Sequence, residues 1–105
     1  MAPRRPSAQT RLVLDALRIA GREWRHGYDL ARATGLAPGT LYPILGRLTD
    51  RGLLESRWEE DPPTGRPRRH LYRLSEPGRG YAAEFAAAPV TRAVSTRPGL
   101  AGGLA

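Results

Sequence analysis

The chain has 105 residues and a formal net charge of +7, and its length suits one domain with a modest hydrophobic core. All seventeen strongly basic residues are arginine, which favours a polyanionic partner, although a GC-rich genome would also enrich arginine. The lack of cysteine excludes a disulfide framework and a thiolate metal site, and no apolar run reaches the roughly 20 residues of a membrane span. We therefore expect a cytoplasmic protein with no metal, cofactor or membrane partner.

The N-terminal part predicts a basic arm followed by a helix. Residues 1–6, MAPRRP, show no periodicity, so we expect a disordered arm that is either a loose terminus or, through Arg4 and Arg5, a contact to the phosphates or minor groove of a nucleic acid. Ser7 is the candidate N-cap of the first helix. Leu14 falls off the apolar stripe of this helix, which predicts that it faces a partner. Trp24, beyond the helix, is expected to pack over the core or to line a ligand pocket. The stripe comprises Leu12, Val13, Ala16, Leu17 and Ala20.

Two further helices are predicted on either side of a short turn. His26–Thr34 reads as a helix with Tyr28, Leu30 and Ala31 facing inward, and Gly35 then suits a left-handed cap. Pro38–Gly52 follows directly, and its apolar residues lie at i, i+3, i+4 and i+7, which is typical of one buried helix face. These apolar residues are Leu41, Ile44, Leu45 and Leu48. The other face carries groups that bind phosphates or base edges, namely Thr40, Tyr42, Arg47 and Arg51.

A hairpin and a last helix complete the pattern. Leu54–Glu60 alternates like a strand, and Arg69–Leu74 is the return strand. The hairpin carries Arg66, Arg68 and Arg69 within four residues, with Thr64 and Gly65 at its tip. Ser75 is expected to cap a helix from Glu76 to Ala88, in which Tyr81 and Phe85 form an i, i+4 aromatic pair suited to dimerisation. Pro89 should end that helix, which leaves residues 89–105 as a flexible tail.

The order helix, turn, helix and two-stranded wing predicts a winged helix-turn-helix. The expected fold class is mainly α with a small β-hairpin: a three-helix core, the wing and a short C-terminal helix. The corresponding divisions are 1–6 for the arm, 7–75 for a DNA-binding domain, 76–88 for dimerisation and 89–105 for the tail. Double-stranded DNA is the partner that this arrangement favours, with the third helix in the major groove.

The same residues closely resemble the PadR family of bacterial transcriptional regulators over about residues 8–85. The motifs that carry the resemblance are Gly27-Tyr28, Thr40-Leu41-Tyr42-Pro43-Ile44-Leu45, Arg51-Gly52-Leu53 and Gly65-Arg66-Pro67-Arg68. The resemblance implies a homodimeric winged helix-turn-helix repressor that binds a palindromic operator and is often released by a small ligand. Two positions depart from the family pattern: Ala37 stands where a serine cap is common, and Pro89 shortens the dimerising helix.

On this interpretation the DNA-contacting residues come from the third helix and the wing. Thr40 and Tyr42 are candidates for base or phosphate contacts, and Arg47 for a phosphate or a guanine. The wing arginines are candidates for phosphate or minor-groove contacts, unless they are a solvated charge run or pair with the acidic residues at positions 59–61. Arg51 is expected to be a solvated helix end.

Other classes of function remain as alternatives. An enzyme is not expected, because the two histidines lack helical metal-ligand spacing and no phosphate-binding loop or nucleophile elbow occurs. A winged-helix module for protein–protein contact is one rival. A sensor of a small aromatic effector is another, with a pocket built from Trp24, Trp58, Tyr81 and Phe85.

Overall fold

The computed structural model describes residues 5–87, which form four helices and a three-stranded antiparallel sheet. The expected winged helix-turn-helix architecture is therefore present, with one strand more than predicted. The elements in chain order are α1 (Ala8–Ala20), β1 (Arg25–His26), α2 (Gly27–Thr34), α3 (Pro38–Asp50), β2 (Leu54–Trp58), β3 (His70–Leu74) and α4 (Glu76–Ala87). Within these residues no helix is long and apolar enough to cross a membrane.

The core is built around the apolar face of α3, as the spacing predicted. Leu41, Ile44, Leu45 and Leu48 are all buried. Helices α1 and α2 and strand β2 pack against α3. Burial of each such side chain contributes about 2–3 kcal/mol, so this face is a main source of the domain's stability.

The predicted orientation of α1 is wrong at two positions. Leu14 is only 2% exposed within a single chain, whereas Leu12 is 45% exposed. The buried face of α1 is centred on Val13, Leu14 and Leu17, because α3, β3 and α4 all pack against this helix. Leu14 therefore belongs to the chain's own core and is not available to a partner.

The caps at the start of α1 and the end of α2 are as predicted, whereas α3 begins without a side-chain cap. The Ser7 hydroxyl accepts a hydrogen bond from the Thr10 N–H, and Gly35 has a left-handed conformation with φ of 75°. Ala37 precedes α3 without a side-chain cap, and α3 runs on through Pro43. Tyr28 does not face inward as predicted, because it is 65% exposed on α2.

The sheet contains a short strand that the sequence did not predict. In β1, Arg25 pairs with Tyr72 and His26 pairs with Leu71, so β3 lies between β1 and β2. In the hairpin, Leu54 pairs with Leu74, and both side chains are buried. The inward face of the return strand is thus the one that carries His70, Tyr72 and Leu74. The strands are also shorter than predicted, by one or two residues at the loop.

Helix α4 is fastened to the segment between α3 and β2. The Ser75 hydroxyl donates to the Gly52 carbonyl at 2.6 Å and accepts from the Gly78 N–H at 3.1 Å, so it caps the helix as predicted. The Ser75 N–H donates to the Leu53 carbonyl at 3.1 Å. Gly78 lies so close to that carbonyl that a Cβ would overlap it. The predicted stop at Pro89, the tail and the first four residues of the arm lie outside the described residues.

Candidate nucleic-acid interface

The outer face of α3 presents the residues predicted to contact DNA. Tyr42 is 47% exposed, Arg47 is exposed and Thr40 is half-buried. The Tyr42 hydroxyl rests against Gly27 at the start of α2, where a Cβ would overlap it. Tyr42 is therefore positioned by α2, while part of its side chain stays accessible.

The tip of the wing is a tight turn with exposed residues. Gly65 has φ of 84°, a left-handed conformation that glycine adopts without strain, and the Arg66 N–H donates to the Pro63 carbonyl at 3.1 Å. Thr64, Gly65 and Arg68 are exposed at this end of the hairpin. Backbone and side-chain donors at the tip can therefore reach a surface that approaches the wing.

Arg66 forms an ion pair within the wing. Its Nη2 lies 3.0 Å from Glu59 Oε1 and donates to Oε2 at 3.1 Å. The hydrogen bond from Arg66 is the main reason why the pKa of Glu59 lies below its usual range. One of the three acidic residues at the start of the loop, Glu59, thus pairs with a wing arginine in the absence of DNA, as one of the alternatives anticipated.

Arg69 contacts a histidine that sequence analysis did not single out. Its guanidinium touches Nε2 of the His26 ring, and the ring's Nδ1 accepts from the Asp29 N–H at 3.2 Å to cap α2. Nε2 also lies 3.3 Å from the Asp29 carboxylate. His26 thereby joins the root of the wing to the first turn of the helix-turn-helix. Its place at the start of the predicted second helix, directly before Gly27, was the signal that could have identified it.

The four aromatic residues proposed as a ligand pocket have different partners. The guanidiniums of Arg57 and Arg73 lie over Trp24, at 4.5 and 4.3 Å from the ring centroid, so Trp24 packs against charged side chains and not over the hydrophobic core. Trp58 stacks on His70 at 4.7 Å. The remaining two form an edge-to-face pair at 4.8 Å, Tyr81 with Phe85. Core and surface packing explains each of these contacts.

Metal chemistry finds no support in the part of the chain that the structure describes. Residues 5–87 contain no group of three or more histidine, aspartate or glutamate side chains that could hold a metal ion. In the wing, Glu59 pairs with Arg66 and Glu55 pairs with Arg73.

Comparison with known proteins gives a consistent result. The model of the Transcriptional regulator PadR-like family matches residues 16–84, well over half of the chain. A PadR family transcriptional regulator from Eggerthella lenta DSM 2243 is 32% identical, with a TM-score of 0.61 and coverage of 74% of this chain and 68% of that chain. A PadR-like transcription factor from Bacteroides fragilis is 27% identical, with a TM-score of 0.61 and coverage of 75% and 80%.

A ligand-bound regulator is also similar. The PcaV transcriptional regulator from Streptomyces coelicolor, solved in complex with its natural ligand, is 28% identical with a TM-score of 0.64. The alignment covers 83% of this chain but only 57% of that chain. Comparison with curated protein sequences gives no significant match.

Proposed function

The chain belongs to the PadR-like family of transcriptional regulators, and on that premise we propose that it is a repressor that binds a palindromic operator as a homodimer. Family membership makes it a DNA-binding transcriptional regulator and not an enzyme. The observation that carries the finer proposal is the exposed polar face of α3 beside an arginine-bearing wing. Such a regulator would act on chromosomal DNA in the cytoplasm.

We assign base recognition to the start of α3. Thr40 and Tyr42 are the side chains of its first turns that can hydrogen-bond base edges in the major groove. The packing of Tyr42 against Gly27 supports this assignment, because a side chain held in place loses less entropy when it binds. Arg47, one turn further, is assigned to the backbone phosphates.

The wing arginines are assigned graded roles in phosphate binding. Arg68 is exposed and pairs with no carboxylate among residues 5–87, so it is the first candidate for a direct contact. Arg66 and Arg69 are held by Glu59 and by His26, and each must leave or share that partner to reach DNA. Thr64 and Gly65 supply the close approach of the backbone at the tip.

The dimer is proposed to involve α4 of each protomer. Tyr81 packs against the core and Phe85 is half-buried beside it, so the pair can be completed by a second copy of α4. Leu14 is no longer a candidate, since it is buried in its own chain. Two-fold symmetry would place two α3 helices about 34–36 Å apart, one turn of DNA, which is the reason for a palindromic operator.

A small aromatic effector is the second proposed partner. The similarity to the ligand-bound PcaV supports it, although the chain spans little more than half of that protein. Quenching of Trp24 and Trp58 fluorescence by planar aromatic compounds would support an effector, and a flat response across a broad panel would count against one.

A gel shift tests the proposed function. The probe is DNA from the region upstream of the protein's own gene, with random DNA as competitor at two salt concentrations. A specific complex that resists the competitor supports the regulator, and a footprint of it then shows whether the site is symmetric. Equal loss to random DNA would indicate a generic DNA binder, and no binding even at low salt would favour a protein–protein module.

A further inference from the structure

A concave, positively charged pocket lies beside the recognition helix, away from the residues assigned to base contacts. It has a volume of about 290 Å³ and lies between the start of α1, the C-terminal half of α3 and α4. Three arginines line it, Arg5 before α1 and Arg47 and Arg51 on α3, together with the hydroxyl-bearing Ser7 and Thr10. No lining residue is acidic.

The charge of this pocket is not balanced by carboxylates. Five other arginines are paired with acidic residues, namely Arg18, Arg25, Arg66, Arg73 and Arg79. Within residues 5–87, Arg5, Arg47 and Arg51 have no such pair. The first turn of α1 also lacks an acidic residue, so the positive end of that helix adds to the field. The pocket is therefore ready to receive an anion.

An aromatic ring holds Arg51 in place, and no carboxylate among residues 5–87 neutralises its charge. Its guanidinium lies over the Tyr81 ring, 5.1 Å from the centroid, and this cation–π contact orients the group. Guanidinium forks match the geometry of phosphate oxygens, and two of them converge here on α3 with a third from a separate segment.

The position of the pocket on α3 indicates which anion it meets. Thr40, Arg47 and Arg51 share one flank of the helix, since they are spaced by about two and three turns. A helix with its side chains is about 10–12 Å across and fills a major groove about 12 Å wide, so its flanks face the phosphate rows. With the N-terminal residues of α3, such as Thr40, at the base edges, the later residues Arg47 and Arg51 on this flank lead to the sugar–phosphate backbone.

We propose that Arg5, Arg47 and Arg51, with the start of α1, form a seat for a DNA backbone phosphate. This inference rests on the proposed DNA binding and adds a contact that does not depend on the wing or on base sequence. It also changes the expected role of Arg51, which sequence analysis treated as a solvated helix end.

The test uses the full chain and a short random-sequence duplex, so it does not require the operator. The affinities of the wild type and of Arg47→Gln, Arg51→Gln and the double variant are measured by fluorescence anisotropy between about 50 and 200 mM salt. Arg22→Gln is the matched control, because it removes the same charge at the other end of α1, about 20 Å away. Thermal unfolding checks that each variant is folded at the assay temperature.

We expect each seat variant to bind the random duplex about tenfold more weakly at low salt. A tenfold loss corresponds to the low end of the free energy that a charge-assisted hydrogen bond contributes. The log–log salt slope should fall by about 0.9 for each arginine removed per bound protomer. Operator DNA, once known, should lose affinity by the same factor. If the double variant keeps the slope and affinity of Arg22→Gln, the seat is refuted while DNA binding stands.

Two further outcomes distinguish the phosphate seat from a site for a free anion and from a failure of DNA binding altogether. If inorganic phosphate displaces the duplex better than chloride at equal ionic strength, and only when the arginines are present, the seat belongs to a free anion and the DNA assignment is wrong. If the wild type binds no duplex even at the lowest salt, the proposed function itself fails, and the phosphate seat fails with it.

Discussion

The contact between Gly78 and Leu53 leads to a test in which two glycines of one helix respond in opposite directions. Gly78 lies against the Leu53 carbonyl, and a Cβ would overlap it. The carbonyl cannot simply retreat, because the Ser75 N–H donates to it and the Ser75 hydroxyl binds the Gly78 N–H. Gly80, two residues later, is exposed, and a Cβ there would meet nothing within 4 Å.

The magnitudes follow from these surroundings. Gly→Ala in a helix gains up to about 1 kcal/mol from propensity, and Gly80→Ala should show this gain. Gly78→Ala has the same gain but also an overpacking cost of about 1–3 kcal/mol and the weakening of hydrogen bonds that contribute about 1 kcal/mol each. We therefore expect Gly78→Ala to lower the free energy of unfolding by about 1–3 kcal/mol. The two variants should then differ in Tm by about 10 °C or more.

Urea unfolding followed by tryptophan fluorescence measures both variants at one protein concentration, which holds any dimer contribution constant. An unchanged m-value would show that the variants differ in stability and not in the compactness of the unfolded state. Gly78→Ala as stable as Gly80→Ala would refute the view that α4 is docked tightly on Leu53.

The remaining predictions concern the cap of α4, the wing and the base contacts. Ser75→Ala removes the buried cap and should lower the free energy of unfolding by about 1–2 kcal/mol, measured in the same urea titration. Glu59→Gln should release Arg66 and raise the affinity for random DNA and the salt slope in anisotropy titrations, whereas Arg66→Ala should weaken binding similarly on all sequences. The pKa of Glu59 is lowered in the folded chain, so its ion pair with Arg66 stabilises the fold at pH values above the usual carboxyl pKa of 4.5. This stabilisation is lost as the pH falls through the lower pKa of the folded chain. The wild type should therefore lose its stability advantage over Glu59→Gln in acid unfolding titrations. Thr40→Ala or Tyr42→Ala should narrow the affinity ratio between operator and random DNA in competition gel shifts.

Each of these predictions has an outcome that contradicts it. A Ser75→Ala variant of unchanged stability would mean that water replaces the cap. Weaker DNA binding by Glu59→Gln would show that the ion pair positions the wing instead of withholding Arg66. Equal effects of Thr40→Ala and Arg66→Ala on the specificity ratio would overturn the division between base and phosphate contacts.

Sequence patterns predicted α3 well and α1 poorly, for a physical reason. The apolar residues of α3 fit one helical face, and the structure buries that face. In α1, by contrast, Leu12, Val13 and Leu14 are consecutive, so periodicity allows more than one buried stripe. Which stripe is buried depends on where β3 and α4 pack, and that information is not local to the helix.

The candidate site shows the same division. The exposed face of α3 and the arginine-rich tip follow from local spacing and turn chemistry, and the pairing of Arg66 with an acidic residue was among the alternatives. Strand β1 was missed because two residues are too few for an alternating pattern. The convergence of Arg5 with Arg51 depends on how α1 lies across α3, so no pattern along the chain reveals it.

Strand β1 has a consequence for how this regulator meets its DNA. His26 pairs with β3 and also caps α2. The base of the wing and the helix-turn-helix are therefore joined through the backbone of this residue. The distance from α3 to the wing is thereby fixed within the protein, because a change in it would break the hydrogen bonds between β1 and β3. We expect tight binding to require DNA whose groove width matches this fixed distance. A sequence that is stiff in another shape should bind more weakly, because deforming it costs free energy. We therefore expect the sequence to affect affinity through DNA deformability, even at base pairs that no side chain touches.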